Sequence, residues 1–253
     1  MPMKKTAEVP VSGGVEAVDR ALAILRAFDI GCERQTLSDL ASRTGFYKST
    51  ILRLCQSLER SGFLHREASG TFVLGPESLR LAALYRRDSK LETHVRPALR
   101  ALVEATEESA SFYQRQGNRR QCLYREETRR AIRDHILEGD MLPLNLGAAG
   151  HVLTIFGNSS LSPAERARRY APMPLASFGE RDPETAAVAA PVFSHDGLAG
   201  ALGISGPRTR LTPKRAAEIG PVVLAKAEAL SKLLGGVLPE AAEEPSSLKR
   251  RKA

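Results

Sequence analysis

One stretch of the chain, residues 48 to 60, alternates apolar and hydrogen-bonding side chains at the spacing of an α-helix. The apolar positions are Ile51, Leu54, Cys55 and Leu58. The opposite face carries Ser49, Thr50, Arg53, Gln56, Ser57 and Arg60, with no carboxylate before Glu59. Arg53 can bind both acceptors of a guanine edge and Gln56 the edge of an adenine, while serine and threonine hydroxyls can reach phosphate. We therefore predict that Lys48 to Ser57 form a helix that enters the major groove of DNA.

A second candidate site begins at four small residues, Gly147 to Gly150, which precede an apolar helical stretch from His151 to Phe156. Small side chains at a helix start leave the first backbone N–H groups open to a carboxylate or phosphate, and the helix dipole favours such an anion. The same residues also suit a close contact between a helix and a sheet, which requires small side chains and no ligand. The residues alone leave both interpretations open.

Seven arginines lie in the segment from Arg115 to Arg133, with two glutamates among them. Such a run could be mistaken for a second nucleic-acid site. More often it is a solvated hairpin edge or a contact with another subunit, and we interpret it in that way. The spacing of His135, His151 and His195 fits no metal site, so we expect neither a metal nor a cofactor.

Two further helices are predicted before the groove helix. The first runs from about Val15 to Asp29, and its apolar residues predict one buried stripe. These stripe residues are Val15, Val18, Leu22, Leu25 and Phe28. Thr36 is placed to cap the second helix together with Asp39, and Gly45 ends it. Only Phe46 and Tyr47 then separate Gly45 from the groove helix, and so tight a turn is typical of a helix-turn-helix.

Two short strands are predicted after the groove helix, at Phe63 to Glu67 and Thr71 to Leu74, and a hairpin in this place is a wing. Between Arg34 and Arg66, six basic residues stand against two acidic ones, so this part of the chain presents positive charge to phosphates. Three short helices and a hairpin could instead form a protein-binding domain with ordinary solvated faces. The tight turn and the acid-poor helix face favour the DNA-binding interpretation.

The rest of the chain is predicted to form a linker helix and then helices packed on an antiparallel sheet, which is an α+β fold. A helix over Leu91 to Thr106 contains Pro97 near a bend or start. The predicted strands are Ala110 to Gln114, Gln121 to Arg125, Ala187 to Phe193 and Leu198 to Ser205. The last helix is capped by Thr212 and runs through Leu233, with a disturbance at Gly220 and Pro221.

The composition excludes several classes of protein. A formal charge of +8 suits a polyanionic partner, although charge alone is weak evidence. The three cysteines, Cys32, Cys55 and Cys122, form no CxxC pair, which fits a reducing compartment, and Cys122 lies among apolar residues typical of a core. The first ten residues lack the apolar segment of a signal peptide, and no run is long enough to span a membrane. We expect a cytoplasmic protein without a membrane partner.

Several ordered motifs together resemble the isocitrate lyase regulator (IclR) family of bacterial transcription factors, from Val15 to about Leu234. The segment from Lys48 to Leu54 resembles the recognition helix of that family. Further landmarks are Leu142 to Leu144, Gly147 to Gly150, Ala189 to Phe193 and Ile204 to Pro207. The resemblance implies a winged helix-turn-helix joined by a linker helix to a GAF-like, profilin-like effector-binding domain. It also implies a homodimer or a dimer of dimers that binds promoter DNA and responds to a small metabolite, often an organic or aromatic acid.

The residue patterns and the resemblance together give expected boundaries and site residues. The expected parts are a flexible N-terminus at 1–14, the DNA-binding domain at 15–75, the linker helix at 76–90, the effector-binding domain at 91–236 and a disordered tail at 237–253. The expected DNA-binding residues are Thr36, Tyr47, Lys48, Ser49, Thr50, Arg53, Gln56, Ser57 and Arg66. The expected effector-binding residues are Ala148, Ala149, Ala187, Ala189, Gly203 and Ser205, with Glu180 as an addition from a variable loop.

Three residues depart from the family pattern. Tyr47 stands where a proline is usual, so the helix start is looser or the phenol contacts phosphate. Position 203 is glycine where a serine can supply a hydroxyl to the ligand, and position 151 is histidine where lysine is common. The last two changes affect the identity of the effector rather than the role in DNA binding.

We therefore expect a sequence-specific, DNA-binding transcription regulator whose promoter binding is modulated by a small metabolite, and not an enzyme. One alternative is a catalytic second domain with Cys122 or a histidine as its reactive group, but no nucleophile and base are paired in the sequence. Turnover of a bound metabolite would favour that alternative. The other alternative is a sequence-neutral nucleic-acid binder, which competition by nonspecific DNA would separate from a regulator.

Overall fold

The first helices of the chain pack around a small core because each carries apolar residues at helical spacing. The computed structural model describes residues 14–29, 31–88, 90–157 and 161–239. Helix α1 is Glu16–Leu25, α2 is Leu37–Thr44 and α3 is Lys48–Arg60. The core that they enclose consists of Ile24, Ala27, Leu40, Ile51, Cys55, Leu58, Leu64 and Phe72. The predicted capping box is confirmed, because Thr36 and Asp39 satisfy each other's backbone N–H groups at the start of α2.

The predicted hairpin is also confirmed, with strands one or two residues shorter than expected. Strand β1 (Leu64–Arg66) pairs antiparallel with β2 (Phe72–Leu74). Helix α4 (Pro76–Asp88) follows directly, and the chain divides into two compact units after Asp88.

The prediction for the first helix was wrong in length and for three of its five stripe residues. Helix α1 ends at Leu25, four residues before the expected end. Val15, Val18 and Leu22, expected in the core, have 67%, 54% and 45% of their surface exposed. Leu25 and Phe28 pack against the core as predicted, beside the buried residues Ile24 and Ala27. Helical spacing identifies an apolar face, but it does not say whether this chain or another molecule covers that face.

The second unit is built on one antiparallel sheet. After α5 (Lys90–Thr106), its strands are β3 (Ser109–Gln116), β4 (Arg119–Glu126), β5 (Met141–Pro143), β6 (Leu175–Phe178), β7 (Thr185–Ser194) and β8 (Gly197–Pro207). Their order across the sheet is β5-β4-β3-β8-β7-β6. The remaining helices are α6 (Ala148–Phe156), α7 (Pro163–Tyr170) and α8 (Pro213–Leu233). The predicted α+β fold is confirmed.

Strand alternation gives the sheet two apolar faces with different partners. Val188, Ala190 and Val192 of β7 pack in a core with α5 and α8. Ala189 and Phe193, one position out of phase, pack in a second core with α6. The helices therefore cover both sides of the central strands.

Some local predictions for this unit were wrong. Helix α8 runs without a break through Gly220 and Pro221, because Ile219 and Val223 on either side are buried in the same core. Pro97 lies inside α5, between the buried residues Val95 and Leu99, so it does not start the helix; a bend at this position stays a prediction. Strands β5 and β6 and helix α7 were not predicted.

Two expectations concern chain ends: the flexible N-terminus and the tail after residue 237. Residues 1–13 and 240–253, which make up most of both segments, lie outside the described residues. No described helix is long and apolar enough to cross a membrane.

Candidate nucleic-acid interface and ligand cavity

A tight turn positions the helix that sequence analysis assigned to the DNA groove. Gly45 adopts a left-handed conformation (φ 74°) and ends α2, which a residue with a Cβ would do only with strain. Tyr47 is the N-cap residue of α3 and Lys48 its first residue. Three residues, 45 to 47, therefore separate α2 from α3.

One face of α3 is held in the core, so the opposite face is open to solvent. Ile51, Cys55 and Leu58 are buried. The exposed predicted contacts are Tyr47, Lys48, Ser49, Arg53, Gln56 and Ser57, while Thr50 is half-buried. The Tyr47 ring is 85% exposed and makes no capping hydrogen bond. The structure thus brings these predicted contacts to the surface of one helix, free to meet a ligand.

Contacts between α2 and α3 add to this surface. Lys48 Nζ donates to Ser38 Oγ at 2.9 Å, so an ammonium group lies beside the start of α2. The Thr36 hydroxyl already donates to Asp39 Oδ2 at 2.6 Å and caps α2. The single O–H of Thr36 is therefore already used and is not available to a phosphate. Ser38, which sequence analysis missed, lies in the first turn of α2 next to the Lys48 cation.

The hairpin after α3 carries the remaining predicted contact. Arg66 is exposed on β1, and its guanidinium lies over the Phe72 ring at 5.3 Å from the ring centre. Arg34, counted among the free cations of this unit, forms an ion pair with Glu67 at 2.9 Å. The positive charge available to phosphates is accordingly smaller than the sequence count.

Strand register in the second unit creates a cavity between the sheet and α6. Ser111 of β3 pairs with Gly203 of β8, and Gly203 pairs with Ala189 of β7. The next row along the sheet brings Ser205 opposite Ala187. Because these side chains are small, α6 and the sheet leave a space between them. Gly203 itself has no room for a side chain, since a Cβ there would lie 2.6 Å from the Val188 carbonyl oxygen.

The cavity volume is about 40 Å³, enough for a few water molecules. All seven predicted effector residues line it: Ala148, Ala149, Glu180, Ala187, Ala189, Gly203 and Ser205. Sequence analysis had also named Gly147, in the small-residue segment before α6, and missed the other lining residues: Ser111, Tyr113, Arg120, Ile136, Ser177, Arg181, Thr185, Ala186, Val188 and Ile204.

Helix α6 begins at this cavity and presents its N-terminus to carboxylate and hydroxyl oxygens. Its N-cap is Gly147, with a φ of 78°. The Gly147 N–H donates to Glu180 Oε2 at 2.8 Å, and the Ala148 N–H donates to Ser177 Oγ at 2.8 Å. His151 Nε2 lies 2.6 Å from the same oxygen of Glu180. Helix α6 starts three residues earlier than predicted, because its first turn contains only small residues.

Arg120 brings a buried positive charge to the same end of α6. It is 4% exposed, and its Nη1 donates to the carbonyl oxygens of Pro143 and Leu146. Its Nε has no hydrogen-bond partner among the described residues. Its guanidinium lies 5.4 Å from the centre of the Tyr113 ring, and burial lowers its pKa. A buried cation with an unused donor beside a helix N-terminus favours an anion.

A second buried arginine supports the sheet side of the cavity. Arg125 Nη2 donates to Asp134 Oδ1 at 2.8 Å, and Ser205 Oγ donates to Asp134 Oδ2 at 2.7 Å. Arg125 Nη1 donates to Ser111 Oγ at 2.9 Å. The Arg125 and Asp134 side chains are 3% and 0% exposed. This pair fixes two hydroxyl groups that line the cavity.

The interpretation of the arginine run as a solvated edge or subunit contact was wrong for Arg120 and Arg125, which are buried. The alternation of residues along a strand could have indicated that Arg120 is buried. Arg120 lies two positions before Cys122 and therefore shares its face of β4. Cys122 is fully buried, as predicted, and burial raises the pKa of its thiol to about 12. Among the described residues, no group of His, Cys, Asp and Glu could hold a metal ion.

Comparisons with known proteins agree on one family. The IclR helix-turn-helix domain matches residues 17–68. The chain is similar to the glycerol operon regulatory protein of Streptomyces griseus, with 30% identity over 249 residues that cover 87% of this chain and 97% of that protein.

Solved structures of the family have a similar fold. An IclR transcriptional regulator from Alicyclobacillus acidocaldarius matches 88% of this chain and 100% of its own, with a TM-score of 0.73 and 21% identity. An IclR homologue from Microbacterium hydrocarbonoxydans, complexed with 4-hydroxybenzoate, matches 86% of this chain and 100% of its own, with a TM-score of 0.67 and 20% identity.

Proposed function

This chain belongs to the IclR family of transcription regulators, and from this premise we propose that it binds promoter DNA through α3 under the control of a small organic acid. Residues 15–75 contact the DNA, residues 76–90 link the two domains, and residues 91–236 bind the effector. The observation that carries the proposal is the exposed face of α3, which offers Arg53 and Gln56 without a neighbouring exposed carboxylate.

Arg53 and Lys48 have different roles in this proposal. Arg53 is exposed in the middle of α3 and contacts base edges, whereas Lys48 lies at the junction with α2 and contacts phosphate. Loss of a base contact weakens binding to the specific site by about 1–3 kcal/mol and relaxes specificity at one position. Loss of a phosphate contact weakens binding to all sequences alike and lowers the salt slope by about 1.

A footprint of the purified protein on the DNA that flanks its gene identifies the site, and titrations at fixed salt then compare variants. We expect Arg53→Ala to weaken site binding about 5-fold to 150-fold relative to nonspecific DNA. Arg169→Ala, which removes the same charge from an exposed position of α7, is the control and leaves the ratio unchanged. Equal site affinity for Arg53→Ala and the unaltered chain would show that α3 does not read the bases.

We propose that the protein is a homodimer or a dimer of dimers. Support comes from exposed apolar side chains in the DNA-binding unit: Val15 at the N-cap of α1, Val18 and Leu22 on α1, and Leu79, Leu81 and Leu84 on α4. Exposed apolar residues on two helices are typical of an interface, and a two-fold dimer presents two recognition helices to two half-sites. We expect Leu22→Glu with Leu79→Glu to lower the mass measured by light scattering and to weaken operator binding.

The effector is proposed to bind in the cavity at the start of α6. Support comes from the N–H groups of the first turn, the buried Arg120 and the acid bound by the Microbacterium relative. A cavity of about 40 Å³ is smaller than an aromatic acid, so binding opens it and favours one arrangement of the chain.

The test of this part measures operator affinity with and without sodium 4-hydroxybenzoate, pyruvate or benzoate. A 150-fold change in occupancy requires about 3 kcal/mol of differential affinity. Arg120→Met removes the response and retains DNA binding. A response of normal size in Arg120→Met would place the effector elsewhere.

A further inference from the structure

The start of α6 already holds a carboxylate, which belongs to the protein itself. Glu180 lies in the turn between β6 and β7, after Gly179 with a φ of 71°. Its Oε2 accepts hydrogen bonds from the Gly147 N–H at 2.8 Å and from His151 Nε2 at 2.6 Å. One oxygen atom therefore receives both donors at the position where the dipole of α6 favours an anion.

Independent evidence for an anion site comes from Arg120. This side chain lines the same cavity, is 4% exposed, and has a buried Nε with no partner among the described residues. A buried donor without a partner costs free energy, which a ligand oxygen would recover. Glu180 leaves this donor unused.

The surroundings of Glu180 stabilise its charged form. Burial by itself raises the pKa of the carboxyl group, but the bonds from Gly147 and His151 and the charges of His151 and Arg120 outweigh that effect. The pKa of Glu180 consequently lies below its usual value. Its side chain is still 35% exposed and sits on a turn, so it can leave the site without unfolding the sheet.

We propose that Glu180 is an internal substitute for the effector: its carboxylate occupies the anion site at the start of α6, and an effector carboxylate binds by displacing it. This inference rests on the proposed effector role of the cavity. It defines the ligand class as compact monocarboxylates that can use the Gly147 N–H, His151 and Arg120 together. It also explains why the cavity is narrow, since Glu180 lines the space that the ligand needs.

Emptying the site gives a test that needs no knowledge of the natural effector. Glu180→Ala removes the internal carboxylate, and sodium acetate, the smallest stable carboxylate of this kind, is the probe. The readout is the backbone amide signal of Gly147 in a nuclear magnetic resonance titration of the full chain. We expect acetate to shift this signal saturably in Glu180→Ala, and to leave it unchanged in the unaltered chain at the same concentration.

Two further variants control the experiment. Glu184→Ala removes a carboxylate from an exposed position of the same turn, and we expect it to behave like the unaltered chain. Glu180→Gln keeps the volume of the side chain but removes its charge. We expect this variant to bind 4-hydroxybenzoate at least about tenfold more tightly than the unaltered chain does. It should not change binding of the neutral 4-hydroxybenzamide.

The inference is overturned if acetate gives no saturable shift in Glu180→Ala, or an equal shift in the unaltered chain. It is also overturned if Glu180→Gln binds 4-hydroxybenzoate more weakly, because Glu180 would then be a partner of the ligand rather than its competitor. These outcomes differ from failure of the proposed function. In that case acetate would still fill the site in Glu180→Ala, but no carboxylate would change operator affinity in any variant.

Discussion

The buried ion pair behind the cavity allows a quantitative prediction for Asp134→Asn. The carboxylate of Asp134 binds Arg125 Nη2 at 2.8 Å and Ser205 Oγ at 2.7 Å, with the two charged side chains 0% and 3% exposed. The asparagine keeps the shape and can still accept a hydrogen bond from Ser205, but it leaves the buried Arg125 charge with only the partly exposed carboxylate of Glu127, 4.0 Å away, as a counter-charge. Breaking such a pair from one side costs about 3–5 kcal/mol, a large fraction of the roughly 5–15 kcal/mol that stabilises a domain.

The assay is urea unfolding followed by circular dichroism, together with hydrogen exchange of the β8 amides, which reports opening of the unit that contains Asp134. The matched control is Glu218→Gln, since Glu218 pairs with Arg215 at 3.4 Å while both side chains are more than 40% exposed. We expect the control to cost less than about 1 kcal/mol. A loss of less than about 1 kcal/mol for Asp134→Asn, or equal losses in both variants, would refute the argument from burial.

Two further predictions concern the packing of the second unit and the reactivity of the cysteines. Gly150→Ala places a Cβ 2.7 Å from Arg120 Nη1 and against backbone, so we expect urea unfolding to show a loss of about 1–3 kcal/mol. Gly220→Ala, whose Cβ meets only a proline ring at 3.1 Å, should be neutral or stabilising by up to about 1 kcal/mol, and an equal loss there would contradict the prediction. Burial raises the pKa of Cys55 to about 11 and that of Cys122 to about 12, so both thiols stay protonated at pH 8. A thiol reagent should therefore modify only Cys32 rapidly in the native chain, and rapid reaction of Cys122 would contradict its position in the core.

The helix-turn-helix could be predicted from the sequence because its signals are local. The cap at Thr36, the glycine at position 45 and the spacing of Ile51, Cys55 and Leu58 each act within a few residues. The exposure of the apolar face of α1 could not be predicted from such local signals. Val18 and Leu22 have the spacing of core residues, and only the packed structure shows that the chain leaves them exposed.

The cavity could not be predicted from local signals, because it is formed by the register of the strands and by contacts between residues that are far apart in the sequence. The family resemblance pointed to Ala187, Ala189 and Gly203, but no local pattern indicates that they lie in adjacent rows of the sheet. Nor does any pattern connect Glu180 with His151, which are 29 positions apart in the sequence. The short strands β5 and β6 gave no clear alternation, since three or four residues are too few to define a period.

The three residues that depart from the family pattern lie in two different places in the structure. Tyr47 is 85% exposed at the start of α3 and makes no capping hydrogen bond, so a change there leaves the core of the fold untouched. His151 and Gly203 both lie at the cavity: the first contacts Glu180, and the second has no room for a side chain. A serine at position 203 would therefore require β7 to move, so this chain cannot supply a ligand hydroxyl from that position. Both changes lie at the cavity that we propose as the effector site, while the buried face of α3 retains its apolar spacing. We accordingly expect this chain to bind DNA in the manner of its relatives and to differ from them in the acid that it recognises.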